Sequence, residues 1–262
     1  MLTSASYRVG LAAIAASALV VLGFSASAQA SWIPETGSTL VTVTATSGGE
    51  TSTYDVLIPP GLIVDGHYGW SMPGAAELHG KGKGKPFATI QGIFLGVDAD
   101  PGVSLGFVVS AGNADTEFTI TSATITFTPL YQVMAFASAG ITVTDADTDG
   151  ATLTGLFDDG HAYEARYNSP AVTWATLLGN PVVAGTDETV TVNDRRPATF
   201  RESIPGTLSS IESQWHFNVS AHDDASGTSR FDVSGTEVPE PATLALMAAG
   251  GLGAFFLRRR RT

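Results

Sequence analysis

The 262-residue sequence predicts an all-β protein: an antiparallel β-sandwich or jelly-roll body between an N-terminal signal peptide and a C-terminal single transmembrane helix. Three observations carry that expectation. Apolar and polar residues alternate with period two in short runs rich in Val, Ile, Thr and aromatics, the pattern of a half-buried strand. Gly, Pro, Asn and Asp break those runs every ten residues or so, as turns require. The body contains no long stretch with helical periodicity, so helical crossovers between parallel strands are not expected.

In chain order, Arg8 provides a positive start, residues 9–24 form an uncharged apolar stretch, and Ala28-Gln29-Ala30 precedes Ser31 as an A-x-A cleavage site. A secretory signal peptide is expected over residues 1–30, with Ala26-Ser27-Ala28 as the competing site. Residues 31–237 are enough to bury a core and are expected to form one domain. Strands are expected at 40–46, 53–58, 87–95, 103–109, 118–128, 141–144, 161–167, 172–178, 189–192, 215–221 and 228–233. Residues 153–157 and 161–167 flank Asp158-Asp159-Gly160, which reads as a hairpin turn. In 118–128, Phe118 and Ile120 share one parity while Ile125 and Phe127 share the other, so a bulge or bend is expected near 121–123. On 215–221, Trp215, Phe217, Val219 and Ala221 face the core, and His216, Asn218 and Ser220 read as the wet face of an edge hairpin.

Cysteine is absent, which excludes disulfides, thiol chemistry and thiolate metal sites. Of the 13 Lys and Arg, Arg8 and four tail arginines lie in the ends; 8 remain against all 25 Asp and Glu, which lie between Glu35 and Glu240. That region therefore carries −17, where the whole chain carries −12. Such a surface disfavours nucleic acid and anionic membrane surfaces as partners, and favours divalent cations.

The best chemical candidate is Asp145-Ala-Asp147-Thr-Asp149-Gly150, three carboxylates at alternate positions before a glycine, which suits calcium. It matches the first half of an EF-hand type loop, but the twelfth position is Leu156, so Asp158, Asp159 or a distant carboxylate must complete the shell. A solvated turn is the competing reading. Asp98 and Asp100 form a second acidic turn, and Lys81, Lys83 and Lys85 a flexible basic loop. Glu164 and Arg166 share parity and read as an exposed ion pair, whereas His161 and Glu164 do not share it. Trp70, in an irregular Pro- and Gly-containing segment, is the candidate sugar-stacking residue. Thr-x-Thr rows at 42/44, 119/121, 124/126, 142/144 and 189/191 are of the kind that meets ice in some antifreeze proteins, but without a repeat they are not expected to stack in register. No nucleophile elbow, His-Glu-x-x-His helix, phosphate loop or dinucleotide fingerprint occurs, so the body is not expected to be an enzyme.

Residues 238–262 read as an address. Val238-Pro239-Glu240-Pro241 leads into an uncharged apolar run, 242–257, followed by Arg258, Arg259, Arg260 and Arg261. As a helix the run spans about 24 Å against about 30 Å of bilayer hydrocarbon, short for a permanent anchor. The arginines place its C-terminal end in the cytoplasm and the body outside. Pro239 and Pro241 cannot lie within the helix, so they mark its start and leave Glu240 extended and accessible. An ordinary tail anchor is the alternative. Together these features resemble the PEP-CTERM protein-sorting tail, also labelled the ice-binding protein C-terminal domain, over about a tenth of the chain. The resemblance implies recognition by an exosortase, a membrane-embedded cysteine protease or transpeptidase, in a Gram-negative, exopolysaccharide-producing host. The inner membrane would hold the chain before processing, with delivery to the cell surface or extracellular matrix. Signal peptidase and exopolysaccharide are the other expected partners. The body is expected to be a structural or adhesive component of biofilm, with a calcium-dependent carbohydrate-binding module as the alternative and a polysaccharide-active enzyme third.

Overall fold

The computed structural model describes residues 38–57, 63–64, 67–82, 84–98, 100–168 and 172–237. The expected signal peptide and sorting helix fall outside the described residues. The described chain is all-β: β1 (Thr39–Ser47), β2 (Glu50–Leu57), β3 (Ile63–Val64), β4 (His67–Ser71), β5 (Ala76–Leu78), β6 (Ala88–Asp98), β7 (Gly102–Ala111), β8 (Thr116–Ser122), β9 (Ile125–Thr144), β10 (Ala151–Gly155), β11 (Tyr163–Tyr167), β12 (Val172–Leu177), β13 (Val182–Ala184), β14 (Thr189–Arg196), β15 (Glu202–Ile204), β16 (Leu208–Val219) and β17 (Asp224–Glu237). These belong to one continuous antiparallel sheet.

The sheet curls so that two halves face each other. In one half, β2, β1, β8 and β16 lie side by side, with β10 and β11 on the far edge of β16. In the other, β4 and β5 flank β6, followed by β7, β17 and β9, with β14 and β15 beyond. β9 joins them: Ile125 and Thr126 pair with Ile211 and Ser210 of β16, and Val133 onward runs beside β17. Pro129 interrupts the alternation and Gln132 takes a positive φ of 52°, so the strand turns from one half into the other.

Alternation decides which side chains go inward. Val41, Val43 and Ala45 of β1, Phe118 and Ile120 of β8, and Trp215, Phe217 and Val219 of β16 are buried. Across from them lie Phe107 of β7 and Phe231 of β17, also buried. The Phe107 ring meets Trp215 edge-on at 5.1 Å and Phe217 face-on at 5.2 Å, while Trp174 of β12 stacks on Phe231 at 5.6 Å. Gly227 lets this seam close, because a side chain there would meet the Phe107 ring at 2.5 Å. A buried hydroxyl chain threads the same seam: Trp215 Nε1 donates to Ser229 Oγ (3.2 Å), which shares a bond with Ser213 Oγ (3.0 Å), and Ser213 in turn bonds the Tyr163 hydroxyl (3.2 Å). Burial pushes Tyr163 up to about 12.

Four local expectations change. The segment expected as one strand at 118–128 is two, β8 and the start of β9, separated at Ala123 and Thr124, and that break absorbs the parity slip. Residues 129–140, where no strand is expected, belong to β9. The expected hairpin across Asp158 to Gly160 does not form, because β10 and β11 do not pair with each other; both add to β16 end to end, and 156–162 leaves and rejoins the same edge, closed by Phe157 N–H to His161 O at 2.9 Å. Finally, β16 is a central strand paired on both sides, so its wet face belongs to the middle of a sheet.

Candidate functional site

The loop from β9 to β10 brings Asp145, Asp147 and Asp149 together, with one carboxylate oxygen of each within 4.8 Å of the others. Asp145 is buried; Asp147 and Asp149 are exposed. Asp145 Oδ1 accepts the N–H of Thr148 (3.0 Å) and of Asp147 (3.4 Å), and Oδ2 that of Asp187 (2.6 Å). Burial acts to raise Asp145, but these amides and that of Gly150 outweigh it and hold the carboxyl below its usual range. Asp149 is held above it, first by a hydrogen bond with Asp147 and by that residue's charge, then by desolvation and the charges of Asp223 and Asp145. The signs oppose. The ionised Asp145 contributes stability that is lost as pH falls through its lowered pKa, whereas the contribution of Asp149 is present in acid and lost as pH rises through its raised pKa.

The backbone amides occupy most of the acceptor capacity of Asp145, so the exposed Asp147 and Asp149 carboxylates are the main oxygens with which the loop could meet a hard cation, as a partial shell. Leu156 supplies no side-chain oxygen. Asp158 and Asp159 lie beyond β10, whose five extended residues carry the chain about 16 Å away. The distant carboxylate that does approach is Asp223, fully buried and accepting the Ala146 N–H at 3.2 Å.

Other residues singled out from the sequence have ordinary roles. Asp98 pairs with His67 (2.7 Å) and Arg230 (3.3 Å). His216 bonds Glu117 at 2.8 Å on the wet face of β16. Glu164 and Arg166, expected to be an exposed pair, lie largely buried at 2.6 Å, with Glu212 at 3.8 Å and the Phe157 ring beneath the guanidinium. Trp70 on β4 is half-buried, packed partly against the core. The Thr rows do come into register: Thr42 and Thr44 lie opposite Thr121 and Thr119, and Thr142 and Thr144 opposite Thr191 and Thr189. Strand pairing supplies the stacking that the sequence, lacking a repeat, did not announce.

Sequence reasoning missed a trough on the outer face of the second half. Across β6, β7, β17, β9 and β14, one row of side chains reads Phe94, Gly106, Thr228, Gly140, Asn193, and the next reads Gly96, Ser104, Arg230, Ser138, Arg195. Gly106 carries no side chain, so the face sinks between Phe94 and Thr228, while Asn193 reaches across Gly140 as the far wall of a cavity of about 640 Å³. The only signal in the sequence was glycine inside strand patterns, which marks close approach.

The last described strand, β17, runs to Glu237, where the tail begins. Residues 237–261 match the family model for the PEP-CTERM protein-sorting motif. The tail is a PEP-CTERM motif. It implies export, membrane anchoring before processing, and an exosortase as the sorting partner. Among the described residues no helix is long and apolar enough to cross a membrane. No curated protein matches the chain. Among solved structures, a chain of the cryo-EM structure of Broad Bean Stain Virus matches at 12% identity over 80% of this chain and 94% of that chain, with a TM-score of 0.21. A chain of infectious bursal disease virus Gx strain matches at 13% identity over 79% and 60%, with a TM-score of 0.16. At TM-scores this low the superpositions establish no shared fold.

Proposed function

We propose that this PEP-CTERM protein is a non-enzymatic component of the cell surface or extracellular matrix, released from its membrane helix by an exosortase, with a structural or adhesive role in biofilm or exopolysaccharide. The observation that carries the reading is the PEP-CTERM match over 237–261, which starts at the last residue of β17, so the body hands directly to the sorting tail. A signal peptide over residues 1–30, cut by signal peptidase ahead of Ser31, supplies export in this reading. In a host lacking its exosortase, the chain is expected to stay with the membrane fraction rather than reach the surface or culture fluid. The same distribution with and without the exosortase would remove the proposal.

A second reading, a calcium-dependent carbohydrate-binding module, draws on the convergence of Asp145, Asp147 and Asp149. Calcium would relieve the repulsion that raises Asp149. Millimolar calcium is then expected to raise the Tm of the unaltered protein at neutral pH. Asp149→Asn should raise the Tm without calcium, because the repulsion is gone, and should blunt the calcium response. A Tm indifferent to calcium would reduce the loop to a turn closed by its own amides.

A further inference from the structure

We propose that the trough across β6, β7, β17, β9 and β14 binds an extended glycan whose rings carry carboxylates, a uronic-acid polymer. The inference deepens the matrix-protein reading above and rests on it for where the ligand is met. Three observations converge on this surface.

First, its walls combine an aromatic face with polar groups that the fold leaves unused. Phe94 is 49% exposed although it is a large apolar side chain. Its ring leans over Gly96, and its neighbour across the sheet is Gly106, so one side of the ring stays open for an apolar sugar face. Asn193, Ser104, Ser138 and Thr228 make no side-chain hydrogen bond within the described residues, and each offers donor and acceptor capacity to the trough.

Second, the two arginines have been given different tasks. Arg230 is fixed: its Nε donates to Asp232 Oδ2 at 2.6 Å and its Nη2 to Asp98 Oδ2 at 3.3 Å, which lays the guanidinium in place and neutralises it. Arg195, in the same cross-strand row with Ser138 between them, is exposed and forms no ion pair with any described residue. Arg201 also lacks an ion pair but spends its guanidinium on Met134 O and Ser234 Oγ, whereas the guanidinium of Arg195 faces the trough uncommitted. A planar fork of donors matches a carboxylate. Asp194 also lines the trough, but its oxygens are committed to backbone amides, Oδ2 accepting the Leu178 N–H at 3.0 Å and Oδ1 the Arg195 N–H at 2.7 Å, so the Arg195 guanidinium is the group left to meet a ligand carboxylate.

Third, the shape suits a chain rather than a compact molecule. The two rows cross five strands at about 4.8 Å spacing, roughly 19 Å of flat, periodic surface. The repeat of a pyranose chain is of the same order as the strand spacing, so successive rings meet successive strands. The volume of about 640 Å³ lies within the range of ordinary ligand sites.

The test is affinity electrophoresis and calorimetry of the full-length chain in detergent, with polygalacturonate, its methyl ester and double-stranded DNA as probes. Polygalacturonate is expected to retard the protein, with the methyl ester markedly weaker. Arg195→Ala and Phe94→Ala are each expected to weaken binding about tenfold with an unchanged Tm, since both side chains are exposed. Phe200→Ala, 85% exposed but outside the trough, should change nothing. The proposal is overturned if no probe binds, if neither trough substitution weakens binding, if the methyl ester binds equally, or if DNA binds as well as polygalacturonate. Failure here is separable from failure of the sorting reading. A protein that binds the polymer yet distributes identically with and without exosortase keeps the trough and loses the sorting, and a sorted protein that ignores polygalacturonate does the reverse.

Discussion

Replacing Trp215 by alanine is expected to remove about 3–5 kcal/mol of stability, a large part of the roughly 5–15 kcal/mol available to a domain. The indole is fully buried. It touches the seam between the two halves from one side: Phe107 at 5.1 Å belongs to β7, while Tyr163 at 5.0 Å and Phe217 at 6.5 Å belong to its own half. Truncation leaves a cavity between sheets whose backbones are held apart by neighbouring strands, so the site cannot collapse to fill it. It also deprives Ser229 Oγ of the indole donor at 3.2 Å within a buried hydroxyl chain. Urea unfolding of recombinant residues 31–237 measures the loss, with Phe200→Ala as an exposed comparison expected within about 0.5 kcal/mol of the unaltered protein. If Trp215→Ala shifts the midpoint no more than Phe200→Ala does, the two halves do not share the core described here.

The inward faces were legible because alternation is local: the parity of Trp215, Phe217 and Val219 already separated core from wet face. What escaped depended on partners remote in sequence. Ala135, Ala137 and Ala139 have weak strand propensity and follow Pro129, yet they are buried in β9 because β17 pairs along them, with Phe231 directly across from Ala137. Asp158-Asp159-Gly160 carried good turn chemistry, but β16 offered a continuous edge to both flanking strands, and that pairing overrode the local hairpin. The acidic loop could be read because its three carboxylates are sequence neighbours, whereas Asp187 and Asp223, which brace it, arrive from the later connections β13–β14 and β16–β17. The trough was least legible: Phe94, Asn193 and Arg195 meet only through the register of five strands.

The larger effect on function is expected at the tail. On the proposed reading, replacing Arg258, Arg259, Arg260 and Arg261 together by glutamine removes the positive charge expected to hold the C-terminal end in the cytoplasm. On the same reading, replacing Pro239 and Pro241 by alanine removes the helix breakers expected to keep Glu240 open to the processing enzyme. Either change is expected to make the tailed form dominant in the membrane fraction, while the conservative Arg→Lys set should process nearly as the unaltered chain does, because charge rather than guanidinium geometry sets orientation.

The most direct measurement is the intact mass of the protein recovered from its host's surface and culture fluid. A mass that begins near Ser31 and ends near Pro241, with or without added glycan, is the predicted result and makes this a processed surface or matrix protein. A mass that still includes Arg258 to Arg261 would contradict the account and leave the tail as a plain membrane anchor.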